Sequence, residues 1–299
     1  MVSGIAGYTL SMQSLKGKVT VVAGASRGAG RGIALALGEA GATVYVAART
    51  SRKGSKPADK APDTIDDTAE EVTARGGKGI PIRADLRDEK QVAALFRRVK
   101  KDHGHLHVLA NSVWGPNCMA EWSKKFWDLG PGLWRDTIGT ISACWLTSVH
   151  AARLMAGKRG GLIIHVTDNL YPDPSASRGQ VLHDVGHECI NRLVMGMSSD
   201  GKKSKIAVVG LNPGFMGTER VLRSMTTEAM KKQFRFDLSE SPEYIGRGVV
   251  ALAADRRVLQ KTGQLLWISD LATEYGFTDI DGRLIARFDP NAPQQDYPC

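Results

Sequence analysis

A glycine-rich segment near the start of the chain has the residue types and spacing of a phosphate-binding turn. An apolar run at 19–23 leads directly into Gly24, Gly28 and Gly30, and an Ala- and Leu-rich helical pattern follows. In that order of elements, backbone N–H groups and the positive end of the helix dipole converge on a bound pyrophosphate. Glycine turns are also common for purely structural reasons, but the flanking strand and helix favour nucleotide binding here.

Strands and helices alternate along nearly the whole chain around this turn. Further strands are predicted at 42–48, 79–84, 106–110, 161–166, 206–211 and 265–268, and helices at 64–75, 88–101, 131–155, 181–198 and 242–254. Strand–helix–strand units of this length cross over with a right hand and build a parallel sheet covered on both faces. We therefore predict one doubly wound α/β domain over 1–299. Residues 1–17 are expected to fray, and 271–299 to cover the substrate site or a subunit interface.

The composition is that of an ordinary soluble globular protein. Hydrophobic residues make up 42% and charged residues 24% of the chain, and no apolar run approaches the roughly 20 residues of a membrane span. The first eighteen residues lack a signal pattern, which predicts a cytosolic protein with reduced cysteines. The formal charge of +9 is scattered and forms no basic stripe with interleaved aromatics. We therefore expect a polyphosphate ligand and no nucleic-acid or membrane partner.

Polar and glycine-containing motifs follow four of the predicted strands. They are the glycine turn, Asp85-Leu86 after the third strand, Asn111 after the fourth and Asn212-Pro213-Gly214 after the sixth. In this order and spacing they resemble the short-chain dehydrogenase/reductase family over nearly the whole chain. Stretches at 63–69, 111–115, 166–168 and 269–282 are similar to its member-one-like subfamily. The resemblance implies a Rossmann-type sheet, a nicotinamide cofactor across the carboxyl ends of the strands, and a homodimer or homotetramer.

The end of the second strand indicates which nicotinamide nucleotide binds. An enzyme that selects the unphosphorylated cofactor usually has an acid there, but this chain has Ala47-Ala48-Arg49. Arg27 in the glycine turn and Arg49 are placed to clamp a 2′-phosphate, which predicts NADP(H). The resemblance puts Asp85 and Leu86 beside the adenine, and Asn111 where it supports the cofactor and the sheet. The predicted cofactor-binding residues are Gly24, Ser26, Arg27, Gly28, Ala29, Gly30, Arg49, Asp85, Leu86, Asn111, His187, Pro213 and Gly214.

The four catalytic positions of the family carry unusual residues in this chain. Residues 188–193 match the sequence that follows the family lysine, which places His183 at the family tyrosine and His187 at the lysine. Asp168 takes the serine position, and the asparagine position falls at about Thr140. We expect Asp168, His183 and His187 to be catalytic, with Tyr171 as a spare acid in the substrate loop.

Three functions remain open for such a site. The first is an NADPH-dependent reductase in which His183 donates the proton, Asp168 orients it or raises its pKa, and His187 hydrogen-bonds the nicotinamide ribose. A fixed carboxylate disfavours a developing alkoxide and suits a cationic iminium, so a C=N bond fits better than a C=O bond. The second is a non-redox cyclase, isomerase or dehydratase, with Asp168 and His183 as an acid/base pair. The third is a catalytically silent NADP(H)-binding scaffold.

The surroundings of these residues bear on the ligand. His183 and His187 share a helix face with metal-ligand spacing, but the pattern lacks the glutamate that metalloproteases use, so no metal is expected. Trp114 follows a cofactor-contacting strand and is placed to wall the pocket of an aromatic substrate. The predicted substrate is therefore a small organic molecule with aromatic or cationic character.

Overall fold

Seven parallel strands form one sheet in the order β3-β2-β1-β4-β5-β6-β7. The structure is a computed structural model that describes residues 14–54, 62–115, 124–157, 160–168, 180–233 and 235–287. The strands are β1 (Val19–Ala23), β2 (Thr43–Ala48), β3 (Lys78–Arg83), β4 (Val108–Asn111), β5 (Gly161–Val166), β6 (Ile206–Asn212) and β7 (Leu265–Trp267). The strand order reverses between β1 and β4, and sheets of this kind bind ligands at the carboxyl ends of the strands at that point.

Helices cover both faces of the sheet. The α-helices of the described residues are α1 (Gly28–Glu39), α2 (Ile65–Ala74), α3 (Glu89–His103), α4 (Pro131–Met155), α5 (Val181–Gly201), α6 (Glu219–Ser224), α7 (Glu228–Gln233), α8 (Pro242–Ala254) and α9 (Ile268–Tyr275). Their starts follow local chemistry. The Asp88 carboxylate accepts the first free N–H groups of α3, and Pro242 opens α8 directly after its cap, Ser241.

The central strands β1, β2, β4, β5 and β6 are mostly apolar because both of their faces are buried, whereas β3 at the sheet edge carries the exposed residues Lys78, Pro81 and Arg83. Val22, Val46 and Ile164 lie in a cluster with residues of α1, α8 and α9. Val21 and Ile163, their neighbours along the strands, lie in a second cluster with residues of α3 and α4. Alternate side chains of a strand point to opposite faces, so burial on both sides requires a nearly continuous apolar run.

The predicted doubly wound α/β fold is confirmed. Helices α4 and α8 and strand β5 have the predicted bounds, and the other predicted elements differ by one to three residues at an end. Helices α6, α7 and α9 were not predicted. The first two have six residues each, too few to show a helical period, and α9 begins directly after β7 without a turn signal.

The two predicted extensions are partly described. Leu15, in the segment expected to fray, is fully buried, and its N–H donates to the Ala40 oxygen at 2.8 Å. In the C-terminal segment, Asp279 accepts the N–H of Ser241 at 2.8 Å, so this segment braces the start of α8. Residues 1–13 and 288–299 lie outside the described residues. Within the described ranges, none of the helices combines the length and apolar character that a bilayer crossing requires.

Candidate active site and cofactor site

The turn after β1 leaves no room for side chains at two of its glycines. Gly24 has a φ of +84°, and a Cβ there would lie 2.6 Å from the carbonyl oxygen of Ser112. A Cβ on Gly30 would lie 2.3 Å from the carbonyl oxygen of Gly24. The backbones of β1, α1 and the loop after β4 therefore approach each other as closely as a dinucleotide-binding turn requires.

The N-terminus of α1 already binds an anionic group. Gly28 is the first residue of this helix, and its N–H donates to Oε2 of Glu219 at 2.7 Å. The first turn of α1 holds no acidic residue, so the positive end of the helix dipole is not offset from within the helix. An amide that binds a carboxylate in this position is suited to a phosphate oxygen, and the turn therefore fits a nicotinamide dinucleotide.

The ends of β2 and β3 carry the residues expected around the adenosine. Arg49 is exposed directly after β2 and has no ion pair with a described residue. Arg27 is half-buried at the cap of α1. Asp85 follows β3, and the Arg87 guanidinium bonds both of its oxygens, at 3.0 and 2.9 Å, which lowers the pKa of this carboxyl. Leu86 is buried beside it.

Asn111 is buried at the end of β4, where its side chain supports the scaffold. Its Nδ2 donates to Ser148 Oγ at 3.2 Å, and its Oδ1 accepts the Thr147 hydroxyl at 2.7 Å. Ser148 Oγ also lies 3.3 Å from Nε2 of His165. Burial lowers the pKa of His165 to about 4, so its ring is neutral near pH 7. This network joins β4, α4 and β5 within the protein interior.

Three of the predicted catalytic side chains lie together at the carboxyl end of β5. Asp168 follows the strand, and His183 and His187 lie one turn apart on α5 with ring centroids separated by 4.5 Å. Nε2 of His183 is 3.6 Å from Oδ2 of Asp168, and its Nδ1 is 3.7 Å from Oδ1 of Asp184. The imidazole thus lies between two carboxylates, which stabilise its protonated form.

His187 makes a different contact, which fixes its tautomer. Its Nδ1 accepts the backbone N–H of Asp168 at 2.9 Å, so the neutral ring carries its proton on Nε2. The Trp114 ring stacks on His187, with centroids 4.1 Å apart and 19° between the planes. A neutral imidazole held in this way supplies one hydrogen-bond donor, whereas a lysine at the same position would supply a cation.

The backbone around these side chains is held by further hydrogen bonds. Thr167 donates its hydroxyl to Oδ1 of Asn191 at 2.7 Å, and Nδ2 of Asn191 donates to the Asp168 carbonyl at 3.4 Å. Oε1 of Gln180 accepts the N–H of His183 at 2.7 Å and caps α5. Asp168 and His183 are therefore positioned by contacts within the protein itself.

A cavity of about 340 Å³ opens beside Asp168 and His183. It is lined by Asp168, His183, Pro213, Gly214, Phe215, Met216, Thr218, Val221 and Trp267. Apolar and aromatic walls with polar groups at one end suit a small organic ligand with one polar or cationic centre. The tryptophan in this wall is Trp267, the last residue of β7. Trp114, which we expected in the wall, instead packs against the two histidines.

The Gly214 end of the cavity rests on a buried acid. Gly214 donates its N–H to Oε2 of Glu240 at 3.0 Å, and the Glu240 residue is 2% exposed. Burial raises the pKa of Glu240 to about 8, and the neighbouring Asp279 charge adds to this effect. Glu240 is therefore protonated near pH 7 and supports the loop after β6 as a neutral acid.

The structure brings together most of the predicted site residues. Ser26 lies in the glycine turn and Ala29 in the first turn of α1, and Pro213 and Gly214 lie in the cavity wall after β6. Tyr171 lies outside the described residues. Thr140 is buried in α4 and accepts the Gly115 N–H at 3.1 Å. No group of three or more His, Cys, Asp and Glu side chains within the described ranges is arranged to hold a metal ion.

Sequence reasoning missed two acids that complete the site. Asp184 directly follows His183, and adjacent residues of a helix do not normally face each other, so their spacing indicated no pair. Glu219 is 191 residues away from Gly28 along the chain. Only the Asn212-Pro213-Gly214 motif hinted that the segment after β6 returns to the cofactor crevice.

The fold and the site define a doubly wound α/β protein with a glycine-rich turn after β1 and a cluster of Asp168, His183 and His187 after β5. A family model described as short chain dehydrogenase matches residues 18–229. The chain belongs to the short-chain dehydrogenase/reductase family, whose members are oxidoreductases that use nicotinamide cofactors on small molecules.

Individual relatives agree with this assignment. The chain is 36% identical over 281 residues to dehydrogenase/reductase SDR family member 1 of Mus musculus, which covers 90% of this chain and 85% of that protein. A short chain dehydrogenase from Mycobacterium thermoresistibile has a TM-score of 0.77 at 21% identity, covering 95% of this chain and 100% of the other. YwfH, described as an NADPH dependent reductase involved in bacilysin biosynthesis, has a TM-score of 0.67 at 22% identity, covering 84% and 96%. At these identities the two structures show the fold.

Proposed function

We propose that the protein is an NADPH-dependent reductase of a C=N bond, as imine or iminium, or of a C=O bond in a small organic molecule. The observation that carries this proposal is the His183 imidazole between Asp168 and Asp184, at the edge of a largely apolar cavity. The nicotinamide, when bound, supplies a hydride to the acceptor carbon. The protein supplies the proton and a fixed negative charge.

The cofactor proposal rests on the turn after β1 and on two arginines. The Gly28 amide is suited to a phosphate oxygen, and Arg27 and Arg49 follow β1 and β2 at the positions where a 2′-phosphate would be bound. The neutral His187 ring, with its proton on Nε2, would donate to the nicotinamide ribose. Pro213 and Gly214 would border the nicotinamide from the opposite side of the cavity. The NADPH dependence of YwfH is in line with this choice.

His183 is the proton donor in this proposal. The oxygen of a ketone or the nitrogen of a neutral imine needs a proton when the bond is reduced, and a group that titrates near pH 7 is suited to deliver it. Asp168 and Asp184 keep that proton available because both carboxylates favour the imidazolium. Tyr171 and water are the alternative donors.

Asp168 gives the site its preference among substrates. A carboxylate at the cavity wall stabilises a cationic iminium and disfavours the negative charge that develops on a ketone oxygen. The Phe215 ring in the same wall adds attraction for a cation or an aromatic ring, whereas the Trp267 ring already has the Arg287 guanidinium 4.7 Å from its centroid. We therefore favour a cationic C=N substrate over a neutral ketone.

We also propose that the protein forms a homodimer or homotetramer. The apolar side chains of Trp134, Ile138 and Trp145 on α4 and of Val181 and Met195 on α5 are each 38–50% exposed. The two helices pack against each other, and exposed apolar side chains on adjoining helices are typical of a protein interface. The expected cytosolic location stays a prediction.

The first experiment is a titration of the purified protein with NADPH and with NADH, following energy transfer from tryptophan to the nicotinamide. We expect NADPH to bind at least tenfold more tightly than NADH. NADPH oxidation is then followed with cyclic imines, N-alkyl iminium salts and ketones of matched shape. Binding of neither nucleotide would remove the reductase proposal.

A second candidate is favoured by the absence of the tyrosine and lysine at the catalytic positions. His183 and Asp168 form an acid/base pair that could serve cyclisation, isomerisation or elimination. Under that function, substrate would be converted in the presence of NADPH with no change in nicotinamide absorbance. A silent NADP(H)-binding scaffold would bind NADPH and convert none of the compounds.

A further inference from the structure

A carboxylate of this chain occupies the amide at which the cofactor phosphates are expected. Glu219 is the first residue of α6, and its Oε2 accepts the Gly28 N–H at 2.7 Å. The Gly28 amide lies at the positive end of α1, where an anion is most favourable. A hydrogen bond to an ionised acceptor is among the stronger ones in proteins, and a phosphate oxygen at this amide has to replace it.

The segment that carries Glu219 packs directly against the glycine turn. Thr218 Oγ1 accepts the N–H of Val221 at 3.3 Å and so begins α6. The Thr218 methyl group lies 3.6 Å from the place that a Cβ on Gly28 would take. On the other side, Nε of Arg31 in α1 lies 3.9 Å from Oε1 of Glu219. The carboxylate is therefore held between the turn and a cation of the same helix.

The same short helix also reaches the substrate cavity. Thr218 and Val221 line that cavity, while Glu219 between them contacts the phosphate turn. A movement of α6 that freed the Gly28 amide would shift one wall of the cavity. Cofactor binding and the shape of the substrate site are thereby linked through six residues of helix.

We propose that Glu219 is an internal competitor of the nucleotide. Its carboxylate occupies the Gly28 amide, lowers the affinity for the cofactor, and is displaced when the cofactor phosphates bind. This proposal rests on the proposed NADPH-dependent function, because Glu219 acts on the turn at which the cofactor phosphates would bind. Glu219 takes no part in the chemistry of reduction, so its effect appears in binding.

The test is the NADPH titration repeated with Glu219→Gln and Glu219→Ala. The first variant removes the charge at nearly constant size, and the second also removes the acceptor. Glu228→Gln is the matched control: it makes the same charge change on α7, where the carboxylate is 87% exposed and pairs with Lys231. We expect both Glu219 variants to bind NADPH about tenfold more tightly than wild type, and the control to bind like wild type.

The outcomes separate this proposal from the proposed function. Tighter binding by either Glu219 variant, without a change in the control, supports the internal competitor. If wild type binds NADPH and both Glu219 variants bind equally or more weakly, the competitor is overturned and the reductase proposal stands. An equal gain in the control would assign the effect to net charge and also overturn the competitor. If no form of the protein binds either nucleotide, both proposals fail.

Discussion

The turn after β1 and the cluster after β5 lie at the same edge of one sheet, but different constraints act on them. At the turn, the backbone itself forms the site: a side chain on Gly24 or Gly30 would meet main-chain atoms at 2.6 or 2.3 Å. After β5, the site is formed by the side chains of Asp168, His183 and His187, which project from a strand end and a helix. A backbone-built site is thus fixed by geometry, whereas a side-chain site can acquire new chemistry on an unchanged fold.

The largest expected effect comes from His183→Phe, which changes the side-chain site alone. Phenylalanine keeps a ring at this position beside Trp114 but cannot carry a proton. Because general acids contribute roughly 10²- to 10⁴-fold, kcat with a ketone or neutral imine should fall by at least about 100-fold. The Kd for NADPH, measured by fluorescence titration, should stay within about twofold of wild type.

A permanent N-alkyl iminium provides the control for this variant, because its nitrogen takes up no proton on reduction. His183→Phe should therefore reduce the iminium far better than the ketone. Full ketone turnover by this variant would show that His183 is not the donor and would transfer the role to Tyr171 or water.

Asp168→Asn tests the charge of the same site. The asparagine keeps the size and the backbone N–H that His187 accepts, but it removes the carboxylate that faces the cavity. We expect kcat/KM for the N-alkyl iminium to fall at least about tenfold more than kcat/KM for the ketone. The iminium loses the charge that stabilises it, whereas for the ketone the weaker support of the His183 proton is offset by removal of a charge that opposes the developing alkoxide. Equal losses on both substrates would contradict the charge argument.

Arg49→Ala tests the cofactor site around the turn after β1. Most of that site is formed by the backbone, but its proposed preference for NADPH over NADH depends on this side chain. Loss of a cation beside the 2′-phosphate should weaken NADPH binding about five- to tenfold and leave NADH unchanged. Arg52→Ala is the matched control, because this substitution removes the same charge three residues away. The Arg52 side chain is already paired with Asp67 and Glu70, so we do not expect it to bind the 2′-phosphate. An equal effect of both variants on NADPH would indicate a general field and not a phosphate contact.

The difference between a site formed by the backbone and a site formed by side chains also explains how much of the fold and of the site the sequence could predict. The glycine turn and the strand–helix alternation depend on local patterns, so the fold and the bounds of α4, β5 and α8 followed from residue order alone. The positions of Asp168 and His183 followed from the family resemblance. The contacts of Asp184, Glu219 and Glu240 did not, because each depends on the tertiary placement of a side chain and has no spacing signal.

The loop after β6, which contacts both regions, rests on Glu240, and the titration of this acid predicts an effect on stability and not on catalysis. Burial raises the pKa of this carboxyl from 4.5 to about 8, so the folded protein keeps a proton that the unfolded chain releases. This proton stabilises the folded protein fully below about pH 4.5, and its contribution to the free energy of unfolding is lost as the pH rises through 8. Glu240→Gln cannot ionise and keeps an oxygen for the Gly214 N–H. Between pH 5 and 8.5, the unfolding midpoint of wild type should therefore fall by about 6 °C relative to this variant, for a difference of roughly 4 kcal/mol in the free energy of unfolding.

Glu228→Gln again provides the comparison, because its exposed carboxylate should leave the pH dependence of unfolding unchanged. Parallel melting curves for wild type and Glu240→Gln across this range would show that Glu240 is ionised in the folded state. In that case Gly214 would be held by a charged acceptor, and the loop after β6 would bring a further negative charge to the same cavity as Asp168. That charge would strengthen the preference for a cationic substrate, so the melting curves also measure how acidic the side-chain site is.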